Sequence, residues 1–315
     1  MMRKALIVGI NDYPQYPLTG CVKDAVALAS ILEKNADGSP NFSIKCLTVP
    51  NDNIDTGLLK KSIDELFQGD AEVALLYFSG HGYVNSLGGY LVTPNFSSYQ
   101  EGVSMDDILN YANQSKCKDK IIILDCCHAG NLGSPALNNN ASFLGDGLSI
   151  LTACRANEVA VERSGHGIFT SLLIDALQGG AADIRGFITP GSLYAYVDEA
   201  LGAWDQRPVF KTNVSKFTSI RKIMPKVPVE ILRKLTDYFA TPESEHILDP
   251  SYEFTSVTPN TNKVEIFKNL QKFTSVGLVV PVDEEHMYFA AINNKSCRLT
   301  ALGFQYWRLV KENKL

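Results

Sequence analysis

The sequence predicts an α/β sandwich on a mostly parallel central sheet, followed by a smaller α+β domain. Short, continuous apolar runs recur over the first two thirds of the chain, as strands buried on both faces require. Amphipathic segments of helical spacing lie between them, giving a βαβ succession with helices on both faces. Near residue 224 the pattern changes, and the two prolines of IMPKVPVE mark a linker. The expected domains are therefore residues 1–224 and 225–315.

The strands are expected at KALIVGI (4–10), FSIKCLTV (42–49), VALLYFSG (73–80), KIIILDCC (120–127) and LSILTACR (148–155). The helices between them are expected over 21–34, 55–67 and 104–115, with two more over 166–179 and 189–202 after the last strand. Beyond the linker the order reads helix (230–240), a less regular patch, helix (262–275) and a stop at Gly277. Strands LVVPV (278–282) and MYFAAI (287–292) and a helix over 300–313 follow. A helix feeding a two-stranded wing and a closing helix resembles the winged-helix family.

Composition narrows the function classes. Hydrophobic residues are 45% and charged residues 20%, with no low-complexity tract, which sets disorder and fibrous classes aside. A net charge of −5 argues against a protein built to neutralise bulk phosphate. Cysteines at 21, 46, 117, 126, 127, 154 and 297 form no CxxC pair and no metal framework, so free thiols in a reducing compartment are expected. The apolar run at 5–10 is too short for a signal peptide, and no stretch approaches the roughly 20 apolar residues of a membrane span. A cytoplasmic location follows as the expectation.

In open sheets of this kind, functional residues gather in loops at the carboxyl ends of the strands. Two polar clusters fall there, SGHG (79–82) and DCCHAG (125–130). A catalytic cysteine needs a base to raise its thiolate fraction and N–H donors where the oxyanion forms. His81 between two glycines and Cys127 at a strand end supply such a pair. The plainer reading of each is a turn and a buried thiol, since free cysteine is among the most buried residue types. Strand alternation puts Asp125 and Cys127 on one face and Cys126 on the other, so Cys126 is expected to pack in the core.

The ordered segments ALIVGINDYP…LTGCVKDA, LLYFSGHG, IILDCCHAG, LTACRANEVAVE and GHGIFT resemble the caspase-like cysteine peptidases (peptidase C14), specifically their metacaspase and prokaryotic-caspase branch, over roughly residues 3 to 220. The resemblance implies a caspase-like α/β/α sandwich in which His81 is the general base and acid and Cys127 the nucleophile. It implies an oxyanion hole from the backbone N–H groups of Gly82 and Cys127. It also implies an S1 pocket for Arg or Lys formed by Cys21, Asp24, Ser79 and Asp125. Two carboxylates there would attract a guanidinium and repel an aspartate. Read singly, Asp24 is a solvated carboxylate in a first helical turn and Asp125 a strand-end turn residue. His128 and His166 are weaker rivals for the base.

No cofactor or metal is expected. Calcium assists some metacaspases, but Asp106 and Asp107 follow Ser104 in a helix-capping arrangement. The stretch 131–147 after the nucleophile holds no Lys or Arg, which argues against self-cleavage there by a basic-specific enzyme. From 226 to 315, eleven basic and eleven acidic residues cancel, which favours a regulatory protein partner over DNA. The leading expectation is a regulated effector protease of bacterial defence or cell death, acting on protein substrates with a basic P1 residue. An Asp-specific peptidase and a non-catalytic caspase-fold regulator acting through its winged helix are the alternatives.

Overall fold

The computed structural model of the chain describes residues 2–49, 51–97, 100–126, 143–154, 162–163, 166–201 and 207–315. It divides into two units, residues 1–182 with 187–223, and residues 183–186 with 224–315. The first unit begins with β1 (Arg3–Gly9), α1 (Cys21–Glu33), β2 (Ser43–Thr48), α2 (Thr56–Phe67) and β3 (Val73–Ser79). Next come β4 (Gly82–Asn85), β5 (Gly88–Leu91), β6 (Val103–Ser104), α3 (Met105–Gln114), β7 (Asp119–Asp125) and β8 (Leu148–Thr152). The unit continues with β9 (Glu162–Arg163), β10 (His166–Gly167), α4 (Ile168–Asp175), a π-helical turn (Ala176–Gly180), β11 (Phe187–Ile188), α5 (Pro190–Ala200), β12 (Val209–Asn213) and β13 (Arg221–Lys222).

All five predicted apolar runs become strands of one six-stranded sheet in the order β12-β8-β7-β3-β1-β2. Every pairing is parallel except that of β12 with β8. The central strands β3 and β7 are buried at every residue, because helices cover both faces of the sheet. On one face Leu6, Val8, Leu76, Phe78, Ile122 and Leu124 meet Leu59 and Ile63 of α2 and Ile108 of α3. On the other, Ile7, Leu75, Tyr77 and Ile123 meet Leu28 of α1, Phe169 of α4 and Leu193 of α5. Each fully buried Leu or Ile in these layers contributes about 1.5–3 kcal/mol. Strand β7 ends at Asp125, two residues before the expected 127, and β8 ends at Thr152 rather than 155.

The second unit runs α6 (Val229–Leu232), α7 (Leu235–Tyr238), β14 (Glu245–Ile247), a 3-10 turn (Pro250–Tyr252), α8 (Thr261–Ser275), β15 (Val279–Val282), α9 (Met287–Ile292), β16 (Ser296–Leu299) and α10 (Ala301–Lys311). Its sheet is antiparallel in the order β14-β16-β15. The helix expected over 230–240 is two short ones, separated where Lys234 N–H bonds Ile231 C=O in a tighter turn.

MYFAAI is not a strand but the helix α9, and the strand expected there is displaced to 296–299. The burial spacing explains the correction. Met287, Ala290 and Ala291 are buried, an i, i+3, i+4 pattern, whereas alternation would have buried Phe289. Asn294, at φ 54°, then ends the helix, with Lys295 N–H reaching Ala290 C=O and Asn294 N–H reaching Ala291 C=O. No helix among the described residues is long and apolar enough to cross a membrane.

Candidate active site

The sheet register brings the two polar clusters together. Ser79, the last residue of β3, is paired with Asp125, the last of β7, and the two strands are adjacent in the sheet. Gly9, the last residue of β1, pairs with Ser79 from the other side, so α1 starts from the same edge. Of the expected site residues, His81, Gly82, Cys21, Asp24, Ser79 and Asp125 all fall at this carboxyl-terminal edge. Cys127 lies outside the described residues, as do His128 and most of the stretch 131–147; His166 lies in β10, ahead of α4 rather than in it.

His81 is held from several directions. Its backbone N–H donates to the Tyr13 hydroxyl at 3.0 Å, and its carbonyl accepts from Val92 N–H at 2.9 Å. The Tyr13 ring lies against the imidazole with centroids 4.5 Å apart. Tyr13 Oη in turn donates to the Val92 carbonyl at 3.2 Å, and its burial raises the phenol's pKa far above its ordinary value, keeping it a donor. His81 Nε2 lies 2.7 Å from the Tyr16 carbonyl oxygen. A carbonyl can only accept, so Nε2 carries a proton, and Nδ1 is the ring nitrogen that Tyr16 does not engage.

The flanking glycine Gly80 packs closely against Tyr13. A Cβ there would stand 2.4 Å from Tyr13 Oη, so Gly80 makes room for the tyrosine that frames His81. Neither Tyr13 nor Tyr16 was singled out from the sequence. The NDYPQYP stretch after the first strand, with two tyrosines each preceding a proline, was the available signal.

A second cluster lies on the α1 and α4 side of the sheet. Asp24 is 1% exposed and Asp125 6% exposed, which removes the reading of Asp24 as a solvated helix-start carboxylate. Cys21, one turn before Asp24 on α1, and Ser79 are buried as well. Gly167 N–H, at the start of α4, donates to Asp24 Oδ2 at 2.9 Å. The Thr170 hydroxyl donates to Asp125 Oδ2 at 2.6 Å, and Tyr77 Oη lies 2.7 Å from the same hydroxyl oxygen. Because Thr170 spends its single proton on the carboxylate, the chain of donation runs from Tyr77 through Thr170 to Asp125. Burial, with the charges of Asp125 and Asp24 beside it, pushes the Tyr77 phenol well up and keeps that donor in place.

The two carboxylates converge. A Cβ built on Gly167 would lie 2.5 Å from Asp125 Oδ2 and 3.2 Å from Asp24 Oδ2. Both acids therefore face the first turn of α4, where backbone N–H groups and the helix dipole favour negative charge. Neither Thr170 nor Tyr77 was expected as part of this arrangement.

Cys126 is 1% exposed and packs in the same core cluster as Ile122 and Leu124, so strand alternation persists one residue past the end of β7. Asp107 pairs with Lys60 at 2.7 Å while Ser104 Oγ caps α3 through Asp106 N–H. No His/Cys/Asp/Glu group suited to a metal occurs among the described residues.

A family model described as the caspase domain matches residues 2–220. The chain belongs to the caspase-domain family, peptidase C14. Among solved structures, its fold is similar to a protein from Geobacter sulfurreducens, at 14% identity and a TM-score of 0.52, covering 71% of this chain and 98% of that one. It is also similar to caspase-1 from Spodoptera frugiperda, at 16% identity and a TM-score of 0.50, covering 70% of this chain and 90% of that one. No curated protein matches at a significant level. The mostly parallel sheet flanked by helices is thus the caspase α/β sandwich, and the family's general chemistry is that of a cysteine peptidase acting on proteins.

Proposed function

We propose that this caspase-domain protein is an endopeptidase that cleaves after Arg or Lys, with His81 and Cys127 as its dyad and Cys21, Asp24, Ser79 and Asp125 as its S1 pocket. The observation that carries the specificity is the convergence of two buried carboxylates, Asp24 and Asp125, on Gly167. A guanidinium or ammonium entering there meets paired anionic acceptors, whereas an aspartate side chain meets like charge in a poorly solvated site. The core position of Cys126 supports Cys127 as the nucleophile of the doublet.

In this reading the Cys127 thiol gives its proton to His81 Nδ1, and the thiolate attacks the carbonyl carbon of the scissile bond. The N–H groups of Gly82 and Cys127 stabilise the oxyanion. The intermediate collapses with C–N cleavage as His81 returns that proton to the leaving amine. Water then loses a proton to His81 and attacks the thioester, which releases the carboxylic acid and regenerates the thiol. The Tyr16 carbonyl fixes the ring and stabilises the imidazolium formed in both halves.

Residues 225–315 form a winged-helix-like regulatory module in this proposal. The order β14-β16-β15 with α8 ahead of β15 supports that reading, although α9 stands where a wing would be plain hairpin. Its balanced charge favours a protein partner that governs an effector protease of cell defence or cell death. The test is hydrolysis of peptides with Arg, Lys or Asp at P1 by wild type, Cys127→Ala and Cys126→Ala. Basic-P1 cleavage lost only in Cys127→Ala is the expected result. Cleavage after Asp alone, or loss only in Cys126→Ala, overturns the assignment.

A further inference from the structure

Next to His81, and separate from the carboxylate cluster, lies a pocket of about 350 Å³. Its walls include Tyr16, His81, Tyr83, Val92, Pro94 and Phe96, and none of Cys21, Asp24, Ser79 or Asp125. Tyr83 and Phe96 meet edge to face with centroids 5.6 Å apart, yet they remain 39% and 46% exposed, and Tyr16 is 72% exposed. Three exposed aromatic rings grouped at a concavity are a binding feature rather than incidental surface. No Lys, Arg, Asp or Glu side chain is among the described residues that line it.

We infer that this pocket receives an apolar, preferably aromatic, side chain of the substrate on the leaving-group side of the scissile bond, within the first two residues after it. The inference rests on the peptidase reading above. A basic P1 side chain goes to the Asp24/Asp125 cluster, so the chain on the other side of the scissile bond departs past the group that protonates its nitrogen. That group is His81, which is itself a wall of the pocket, continued by Gly82 and Tyr83 at the start of β4. The volume, near the lower end for small-ligand pockets, suits one large side chain. Its lining is apolar over most of its surface and offers no Lys or Arg to an acidic residue, which would give up more hydration there than an aromatic one. Tyr16 serves twice, since it lines the pocket and its carbonyl accepts from His81 Nε2. Filling the pocket therefore also steadies the backbone that orients the base.

The experiment is kcat/KM for internally quenched peptides with Arg at P1 and Phe, Leu, Ala or Asp at the first or second following position. Filling the pocket with a large apolar side chain gives a preference of about tenfold or more for Phe over Asp at one of the two positions. Phe96→Ser collapses the Phe/Ala ratio toward unity. A flat profile at both positions, or an unchanged ratio in Phe96→Ser, overturns the inference. Sequencing the new amino termini from a mixed peptide pool separates the two readings. Apolar enrichment after the cut without a basic residue before it sinks the P1 assignment alone, and the reverse sinks this pocket alone. If no peptide is cut, phenylalaninamide titrated onto isotopically labelled protein at millimolar concentration provides the readout. It shifts the Gly82 and Tyr83 amides in wild type and not in Phe96→Ser, and no shift in wild type overturns the inference.

Discussion

The carboxylate cluster and the aromatic pocket both adjoin the end of β3, but they are held by different means. Asp24 and Asp125 are almost fully buried and tied by hydrogen bonds to the start of α4. Tyr16, Tyr83 and Phe96 are all exposed, and Tyr83 makes ring contacts with Tyr90 and Phe96. A buried charge must have partners in place before any ligand arrives, because its desolvation is costly. An apolar wall carries no such requirement and can remain open to solvent. Substitutions in the first region should therefore damage folding and function together, whereas those in the second should alter selectivity.

Several substitutions sharpen this contrast. The largest effect is expected from Asp125→Asn, which keeps the shape but removes one of the two converging charges. Losing charge-assisted bonds of about 1.5–3 kcal/mol lowers kcat/KM for Arg-P1 peptides by roughly 10- to 100-fold. An unchanged rate would detach the cluster from specificity. Gly167→Ala places a methyl against both carboxylates, and overpacking of this kind costs about 1–3 kcal/mol, readable as a lowered midpoint in urea. Thr170→Val interrupts the donation from Tyr77 to Asp125 and removes one hydrogen bond from each of them. Its cost is about 1–2 kcal/mol of stability, with a smaller loss of Arg-P1 activity than Asp125→Asn.

On the other side of β3, Tyr13→Phe keeps the ring against His81 but removes the hydroxyl that accepts its N–H and donates to Val92. About 1 kcal/mol is expected, seen as a lower kcat with KM little changed. An equal fall in stability and binding would make Tyr13 merely a packing residue.

The smallest effect belongs to an exposed charge in the second unit. Asp249 is held down at about 2 by its bonds from Lys263 and Ser251. A depressed carboxylate stabilises fully above its ordinary range and loses that contribution as pH falls through its folded value. Acid unfolding between pH about 4 and about 2 should thus be shallower in Asp249→Asn than in wild type, by an amount limited by solvent screening. A steeper profile in the variant would reverse the assignment.

Much of the architecture was legible because burial on both faces writes itself as unbroken apolar runs, as in VALLYFS and DKIIILD. The helices of the first unit were legible from their spacing for the same reason. The MYFAAI error shows the limit: six apolar residues fit either period, and the choice fell to which of them the core of the second unit buried. The small antiparallel sheet β4-β5-β6 was missed because its strands are short and partly exposed.

The sequence by itself determined the succession along the chain of five of the six central strands, the motifs at their ends and the alternation that sends Cys126 inward. These depend on local periodicity and on residue types. Tertiary structure decided which distant groups meet. Tyr13 and Tyr16 frame His81 across more than sixty residues, and Thr170 and Gly167 reach carboxylates 45 and 143 residues away. Those contacts follow from strand order and helix placement, which hydrophobic burial sets over the whole domain, so no local stretch of sequence specifies them.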